Sequence, residues 1–470
     1  LRLYRINEFM TFLGDEGRDV RIVRDLITQG NLVFIGPQTS IGNMYLGPLY
    51  YYLIAPSLLF SGLNPVGPAI FNALIGSITV GLIWFVAKKW FGNSAAIISS
   101  LLYALSPVAI IYSRSSWNPN PMPLFALLTI YGISEVWQKK KFSWLSWIGV
   151  TFAFALQMHY LGLLLIPVIG FFWLLTLCAI KNDKIQKHHF LRSSILAFLI
   201  FFLLMSPLLL FDLKHQGMNF NAFKAFFTDR QTTVNLNPAR SDRFLPVMIT
   251  TVTDLILARQ SPYSVLVLVF TSLLSAFVYF YTKNKSNFQV IFIWLGFAFL
   301  GLGVYKQHVY IHYLGFIYPA VYLLVGSLLA YLFDHKSLLL KLVTLLTVVY
   351  LVNLNLVNSP VRETPNHQLQ RTEEAVNQII AASDKQPFNF GLIAKQNYDE
   401  SYRYFFENKK AKMVRGEEGI TNQLFVICED GDKCQPEGNS AWQIAIFGPA
   451  KVTKQWQLDY LKLYKLERNP

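Results

Sequence analysis

The chain has 470 residues, of which 53% are hydrophobic and only 14% are charged, whereas about a quarter of the residues in ordinary soluble domains are charged. This composition excludes an ordinary soluble protein and indicates that most of the chain lies in lipid. The formal net charge of +14 is explained by lysines in short loops on one side of a membrane, an interpretation that we favour over nucleic-acid binding.

Residues 1–66 are predicted to hold two helices that lie at the membrane surface. The first begins in the charged run Gly14-Asp15-Glu16-Gly17-Arg18-Asp19 and continues with apolar side chains spaced three and four residues apart from Val20 to Ile27. That spacing predicts an amphipathic helix in the headgroup region. The second helix, 46–60, begins with Gly47-Pro48 and carries three tyrosines, which favour the interface.

The charged residues at the start of the first helix have two interpretations. Asp15 is consistent with an N-cap, because its carboxylate can accept hydrogen bonds from the free N–H groups of a helix. Glu16 would then favour the positive end of the helix dipole. The alternative is a functional carboxylate at the membrane surface.

Ten apolar stretches follow that are near the length of about 20 residues needed to cross a hydrocarbon core of about 30 Å. The stretch 144–158 is short, so a re-entrant or broken helix is also consistent with it. The ten stretches are 67–87, 94–113, 121–137, 144–158, 161–180, 191–211, 262–282, 288–304, 312–333 and 338–357.

Alternate connections between these stretches are rich in lysine, which predicts that they face the cytoplasm. Arg114 and Lys306 are the only such cations in the intervening short connections. Residues 1–66, the loop 212–261 and the tail from about 358 are therefore expected outside. An even number of spans with an outside N-terminus also predicts a further helix before Leu1. The lysine-rich connections carry Lys88, Lys89, Lys139, Lys140, Lys141, Lys181, Lys184, Lys187, Lys283, Lys285 and Lys336.

The sequence thus predicts three regions: an outer loop at 1–66, a transmembrane bundle at 67–357 and an extracytoplasmic α+β domain at 358–470. In the last region, 368–382 is typical of a helix, and the runs 424–427 and 444–447 are typical of strands. Cys428 and Cys434 flank a predicted turn and are consistent with a disulfide or with two free thiols. Cys178 is interpreted as an inert thiol in a helix.

The order of these features resembles the first outer loop of the GT-C membrane glycosyltransferases, and most closely the protein O-mannosyltransferase and lipid A aminoarabinose transferase family. The resemblance covers most of residues 10–330. It implies an all-α polytopic bundle with outer juxtamembrane helices, a polyprenyl-phosphate sugar donor and a catalytic acidic residue at Asp15. The runs that carry it are Asp15-Glu16-Gly17-Arg18-Asp19, Ile27-Thr28-Gln29-Gly30-Asn31 and Tyr45-Leu46-Gly47-Pro48-Leu49-Tyr50.

Further motifs agree in part. In Asn118-Pro119-Asn120-Pro121-Met122, Asn120 stands where the family often has an acidic residue, which weakens a two-carboxylate metal site. His159 matches a basic residue that relatives place near the lipid phosphate. Leu46-Gly47 replaces a Glu-Lys pair found in some relatives, so any phosphate contact of that lysine must come from elsewhere.

The resemblance implies an inverting displacement, in which a base takes the proton of an acceptor hydroxyl while a phosphate leaves. Asp15 is the predicted base, and Glu16 is the second predicted catalytic residue. The predicted donor-phosphate residues are Arg114, His159, Lys214, His215, Lys306, His308, His312 and Tyr313, and the predicted substrate-loop residues are Arg18, Asp19, Tyr45, Asn118 and Asn120.

Several of these residues also have structural interpretations. Arg114 and Lys306 are equally consistent with side chains that reach the lipid headgroups, and His159 is consistent with a structural histidine. The segment from Asp212 to His215 is consistent with a capped turn.

A divalent cation, Mg²⁺ or Mn²⁺, is a further hypothesis, because Asp15 and Asp19 lie one helical turn apart. Glu16 would assist. The equal alternative is a metal-free network in which Arg18 neutralises the carboxylates.

Two other classes of protein are alternatives to a glycosyltransferase at the outer face of the plasma membrane. A transporter or flippase of envelope precursors would place ionisable groups or broken helices near the bilayer midplane, yet here the acidic residues gather in predicted outer loops. A non-enzymatic partner of an envelope pathway would not require Asp15. The sequence leaves the sugar and the acceptor open.

Overall fold

The computed structural model describes residues 1–39, 44–228, 243–260, 262–283, 285–306, 308–429, 434–458 and 461–468. Up to residue 357 the ordered elements of this part are helices. They are α1 (Ile6–Phe9), α2 (Gly14–Gln29), α3 (Leu49–Phe60), α4 (Val66–Phe91), α5 (Asn93–Leu105), α6 (Pro107–Ile111), α7 (Met122–Lys139), α8 (Trp144–Met158), α9 (Leu165–Ala179), α10 (Lys184–Lys214), α11 (Met218–Thr228), α12 (Phe244–Thr251), α13 (Ser264–Tyr281), α14 (Lys285–Val304), α15 (Tyr318–Phe333) and α16 (Leu338–Val357).

The ten predicted apolar stretches all fall on helices. Seven helices of the described residues are long and apolar enough to cross a membrane, and two of these begin with the 3₁₀ turns Tyr160–Leu164 and Ile311–Ile317. The stretch 94–113 is broken, because Ser106 ends α5 and caps α6, where Pro107 fits the first turn. The chain is therefore a multi-span membrane protein by length and composition.

The predicted outer loop 212–261 is more ordered than its polarity suggests. It contains α11, α12 and a π-helical turn at Val252–Ile256 that continues α12. Two residues that are not glycine, Ala258 and Arg259, follow with left-handed backbone conformations. Residues 229–242 of this loop lie outside the described residues.

The lysine-rich connections meet at one end of the helical bundle. Asn287 donates from its amide to the Trp90 carbonyl at 3.0 Å and accepts from Gln138 at 2.9 Å. Ser94 donates to Asp334 at 2.7 Å. The connections after α4, α7, α13 and α15 therefore share one end, as the lysine pattern predicts, and the side of the membrane that this end faces stays a prediction.

The chain forms two compact units that do not follow chain order. The first comprises Leu1–Tyr4, Asn31–Ser57 and Pro68–Thr364, and the second comprises Arg5–Gly30, Leu58–Gly67 and Pro365–Pro470. The helix α2 thus belongs to the same unit as the C-terminal region. The division predicted at residues 66 and 357 groups the residues differently and stays a prediction about domain organisation.

The second unit is built on a four-stranded sheet with the order β1-β2-β4-β3. β1 and β2 are parallel, and the other neighbours are antiparallel. A disulfide joins Cys428, at the end of β2, to Cys434. Its elements are β1 (Asn389–Ile393), β2 (Gln423–Cys428), β3 (Ala450–Leu458), β4 (Leu461–Arg468), α17 (Gln368–Ala382), α18 (Glu400–Asn408) and α19 (Trp442–Ala445), preceded by a 3₁₀ turn at Pro360–Arg362 in the first unit.

Two of the three elements predicted for this region are confirmed and one is wrong. The helix at 368–382 is α17 and the strand at 424–427 lies in β2. The run 444–447 is not a strand, because α19 ends there. Ile444 and Phe447, three residues apart, are buried against β2 while Ile446 is exposed, so the burial follows a helical spacing.

The helices α2 and α18 pack with their backbones in contact at Gly17. A methyl group added at Gly17 would clash with backbone atoms of Ser401. We expect Gly17→Ala to destabilise the packing of the two helices by about 1–3 kcal/mol, the usual range for overpacking. Hydrogen–deuterium exchange of the two helices measures the loss of protection.

Gly81→Ala is the matched control, since a methyl group at Gly81 in α4 meets no atom of the described residues within 4 Å. It should leave exchange unchanged. Equal protection of α2 in the Gly17→Ala and Gly81→Ala variants would contradict the close backbone contact.

Candidate active site

Asp15 is the second residue of α2 and does not cap it. The helix begins at Gly14, and Leu13 holds the extended N-cap position. The backbone N–H of Leu13 donates to the Glu16 carboxylate at 3.1 Å. The N-cap interpretation of Asp15 is therefore wrong, and Glu16 performs a capping function from the third position of the helix.

The Asp15 carboxylate is held through one oxygen. Oδ1 accepts from the Tyr398 hydroxyl at 2.7 Å and from Nη1 of Arg18 at 2.8 Å. Oδ2 makes no hydrogen bond within the described residues, and 38% of the Asp15 side-chain surface is exposed to solvent. The carboxylate is thus oriented by two donors and still accessible, the arrangement that a proton acceptor needs.

Arg18 binds the second aspartate of this turn as well. Its Nε and Nη2 donate to Oδ1 of Asp19 at 2.9 and 2.7 Å, and the Asp19 side chain is fully buried. Among the described residues, no three His, Cys, Asp or Glu side chains are placed to hold a metal ion. Arg18 thus bridges Asp15 and Asp19. Binding of a divalent cation by these carboxylates stays a prediction.

Glu16 is buried, with 4% of its surface exposed. Burial, and next the nearby charge of Asp15, raise the pKa of Glu16 to about 7. A group so enclosed has no access to an acceptor. Its predicted catalytic role is untested, and its contacts indicate support of the α2 N-terminus beside Asp15.

The first unit brings together three of the predicted phosphate ligands, His159, His312 and Tyr313, at the end of the bundle opposite the lysine-rich connections. The ring centres of His159 and His312 are 6.3 Å apart. Trp117 lies 4.3 Å from His312, and Tyr313 lies 4.6 Å from His159. These residues come from the connections before α7, α9 and α15, so three connections that the lysine pattern places on one side do converge. We call Trp117, His159, Tyr310, His312 and Tyr313 the aromatic cluster.

His308 joins this cluster through Tyr310, whose ring centre lies 4.5 Å away. Tyr310 in turn stacks on His312 at 5.6 Å. His308 is exposed and Lys306 is half-buried. His308 and His312, two of the predicted donor-phosphate residues, are therefore linked through Tyr310.

The asparagines of the second predicted outer loop have different surroundings. The Asn118 amide donates to the Met158 carbonyl at 2.7 Å, which ties this loop to the end of α8. The Asn120 amide donates to the Ser115 carbonyl at 2.8 Å. Asn120 also lines a narrow cavity that is shared with His312, so Asn120 faces the aromatic cluster and Asn118 has a structural contact.

Lys214 and His215 lie at the turn that ends α10. The Asp212 carboxylate accepts from the backbone of Asn219 at 2.6 Å and of Phe220 at 3.1 Å. His215 stacks on a neighbouring ring of α10, and Lys214 is exposed. The capped-turn interpretation of this segment is confirmed.

Tyr45 is held beside the same turn. Its backbone N–H donates to the Asn219 side chain at 2.6 Å, and its carbonyl accepts from the Tyr160 hydroxyl. Tyr160 follows His159 directly, so backbone contacts fix Tyr45 close to the start of the turn before α9.

Arg114 is buried and donates to the Tyr4 carbonyl at 2.7 Å. An arginine enclosed in this way does not reach the headgroups, so the snorkelling interpretation of Arg114 is wrong. Burial lowers the pKa of the Arg114 guanidinium from its ordinary value, but a guanidinium in a protein keeps its positive charge.

The sequence did not indicate Tyr398 as a residue near Asp15. The two residues are 383 positions apart, and no motif surrounds Tyr398. Only the packing of α18 on α2 brings them together. An isolated tyrosine in a polar segment gives no periodic or spacing signal that would have found this contact.

These elements define the fold of the GT-C membrane glycosyltransferases, so the predicted fold class is confirmed. ArnT from Cupriavidus metallidurans bound to undecaprenyl phosphate is similar over 99% of this chain and 95% of its own, with a TM-score of 0.64 and 12% identity. The apo oligosaccharyltransferase of Archaeoglobus fulgidus matches 85% of this chain and 61% of its own, with a TM-score of 0.51 and 13% identity.

The matches found by sequence cover a smaller part of the chain than the structural matches do. Residues 46–211 match the family model of dolichyl-phosphate-mannose-protein mannosyltransferases. An uncharacterized protein of Aquifex aeolicus (strain VF5) is 29% identical over 131 residues, which are 27% of this chain and 26% of that protein. The chain therefore matches only about a quarter of this curated relative.

Proposed function

We propose that this protein is an integral membrane glycosyltransferase of the inverting type. It moves a sugar from a polyprenyl-phosphate-linked donor to a protein, lipid or glycan acceptor on the outer face of the plasma membrane. The fold and the family-model match over residues 46–211 support the class. The undecaprenyl phosphate bound to the similar ArnT supports a lipid-phosphate donor.

The observation that carries the proposal is the state of the Asp15 carboxylate. Oδ1 is fixed by Tyr398 and Arg18, and Oδ2 makes no hydrogen bond within the described residues. In the proposed reaction Asp15 takes the proton of the acceptor hydroxyl, and the acceptor oxygen bonds to the anomeric carbon. The bond from that carbon to the phosphate oxygen breaks at the same time, and its electron pair leaves with the phosphate.

The leaving phosphate gains negative charge and needs fixed positive charge or hydrogen-bond donors beside it. The predicted donor-phosphate residues are the candidates for these groups. The aromatic cluster supplies His159 and His312 at one end of the bundle, and Arg114 and Lys306 belong to connections predicted on the same side.

A carrier or flippase is the second candidate, and the pattern of charge disfavours it. Carriers use ionisable groups near the bilayer midplane. Glu135, a buried carboxylate of the helical bundle, lies near the end of α7 and pairs with Lys139 at 2.5 Å and Lys141 at 3.3 Å. This carboxylate is neutralised by lysines at the end of the bundle rather than placed along a transport path.

Transfer by the purified protein in lipid nanodiscs tests the proposal. The reaction would contain a panel of radiolabelled polyprenyl-phosphate sugars and a crude envelope acceptor fraction. We expect label transfer from one donor class, with inversion at the anomeric carbon in the product. Movement of a labelled lipid across vesicles, without transfer from any donor, would instead establish the carrier.

A further inference from the structure

Tyr398 lies directly over the first turn of α2. It belongs to the segment between β1 and α18, and a methyl group added at Gly14 would clash with its ring. The hydroxyl donates to Oδ1 of Asp15 at 2.7 Å and accepts from Nη1 of Arg18 at 3.1 Å. The three groups form a closed triangle in which each contacts the other two.

The backbone of this segment is fixed by Asn397. Oδ1 of Asn397 accepts from the N–H of Gly14 at 2.8 Å and from the N–H of Tyr398 at 2.9 Å. Its amide donates to both carboxylate oxygens of Glu429, at 2.9 and 3.1 Å. Asn397 therefore holds both the start of α2 and the residue that carries the Tyr398 ring.

Glu429 is itself anchored in the sheet. It follows Cys428, the disulfide-bonded last residue of β2, and its N–H donates to the Ile393 carbonyl at 3.0 Å. The Tyr402 hydroxyl donates to its carboxylate at 2.8 Å. A continuous set of contacts thus runs from β2 through Glu429 and Asn397 to Tyr398.

The Tyr398 hydroxyl stays protonated at neutral pH. Burial and the adjacent Asp15 carboxylate raise the pKa of Tyr398 well above its ordinary value, although Arg18 opposes the shift. Tyr398 is therefore a hydrogen-bond donor to Asp15 and not a second base.

We infer that the C-terminal region supplies a positioning residue of the active site, Tyr398, which orients the Asp15 carboxylate through its hydroxyl. The inference rests on the proposed function of Asp15 as base. Because Oδ1 accepts hydrogen bonds from Tyr398 and Arg18, the carboxylate is held in one orientation. Oδ2 is then the oxygen that takes the acceptor proton. Loss of this carboxylate orientation lowers the fraction of enzyme–substrate complexes in which Asp15 is correctly placed for proton transfer.

The test is Tyr398→Phe in the full-length protein in nanodiscs, which keeps the ring over Gly14 and removes only the hydroxyl. We expect kcat to fall roughly tenfold with the donor KM unchanged, because a misplaced catalytic group slows reaction without weakening binding. Tyr464→Phe is the matched control, because the Tyr464 hydroxyl makes no hydrogen bond within the described residues.

A double-mutant cycle separates positioning from a merely structural role. If Tyr398 acts through Asp15, its replacement has no further effect in an Asp15→Asn background. An equal loss in both backgrounds, or Tyr398→Phe activity equal to that of the Tyr464→Phe control, would overturn the inference while leaving the proposed function intact. Absence of transfer by the wild-type protein with every donor would overturn both.

Asn397→Ala provides a second variant that leaves the tyrosine hydroxyl in place. It removes the link to Glu429 and the acceptor for the Gly14 N–H, so we expect the same fall in kcat at unchanged donor KM. Hydrogen–deuterium exchange should show faster exchange in the first turn of α2 in this variant. Wild-type kcat in Asn397→Ala would contradict the supporting role of this segment.

Discussion

Replacement of Asp15 by Asn is expected to lower kcat by roughly 10²–10⁴-fold, the usual contribution of a positioned general base. Asparagine has almost the same shape, and its side-chain oxygen can still accept from Tyr398 and Arg18. It cannot take a proton from the acceptor. The donor KM should stay close to the wild-type value, because only the proton transfer is removed.

The measurement is initial-rate transfer with the donor identified from the panel, at saturating acceptor. Asp25→Asn is the matched control, since Asp25 lies on the same helix and its carboxylate pairs with Arg24 at 2.7 Å, apart from the Asp15 site. It should transfer at nearly the wild-type rate. Wild-type activity in Asp15→Asn would remove Asp15 from the chemistry but would leave the class of enzyme standing.

The second large effect is a pH dependence of the stability of α2, which we expect to come from the Glu16 carboxyl group. The pKa of this buried carboxyl is about 7, against an ordinary value of 4.5, so the folded state holds a proton that the unfolded chain releases. Its stabilising contribution is therefore fully present below about pH 4.5 and is lost as the pH rises through about 7. The difference amounts to roughly 3 kcal/mol, since a tenfold change in proton affinity is worth about 1.4 kcal/mol.

We expect Glu16→Gln to remove this dependence, because glutamine resembles the protonated acid at every pH. Hydrogen–deuterium exchange of Gly14–Gln29 between pH 4.5 and 8, corrected for the intrinsic exchange rate, gives the opening free energy of the helix. Glu374→Gln is the control, since Glu374 is an exposed residue of α17. A pH-independent opening free energy in the wild-type protein would show that Glu16 is ionised throughout.

Hydropathy predicted the helical bundle well because burial in lipid is a local property of a segment. A stretch of about 20 apolar residues can satisfy its backbone only as a helix in the hydrocarbon core. Seven of the ten predicted stretches lie on helices of the described residues that are long and apolar enough to span, whereas 94–113, 121–137 and 144–158 do not. The lysine pattern likewise grouped the connections correctly, as the contacts of Asn287 and of His312 show at the two ends.

Local patterns failed where several elements share one core. The run 444–447 alternates too briefly to distinguish a strand from a helical turn, and only its packing against β2 decides the outcome. From the sequence, Arg114 is equally consistent with contact to the donor phosphate and with contact to the lipid headgroups. In the structure its side chain is buried and donates to the Tyr4 carbonyl. In both cases the deciding partner is distant in sequence.

The sequence by itself determined that this chain spans a membrane and that an acidic turn at Asp15 begins an amphipathic helix, because hydropathy, charge and helical spacing act over a few residues. Only the tertiary structure decided that Glu16 rather than Asp15 caps α2 and that Arg18 bridges Asp15 and Asp19. It also placed Tyr398 on the Asp15 carboxylate. The hydrogen bond joins residues 383 positions apart and arises from the packing of α18 on α2. A sequence pattern within one segment therefore cannot predict it.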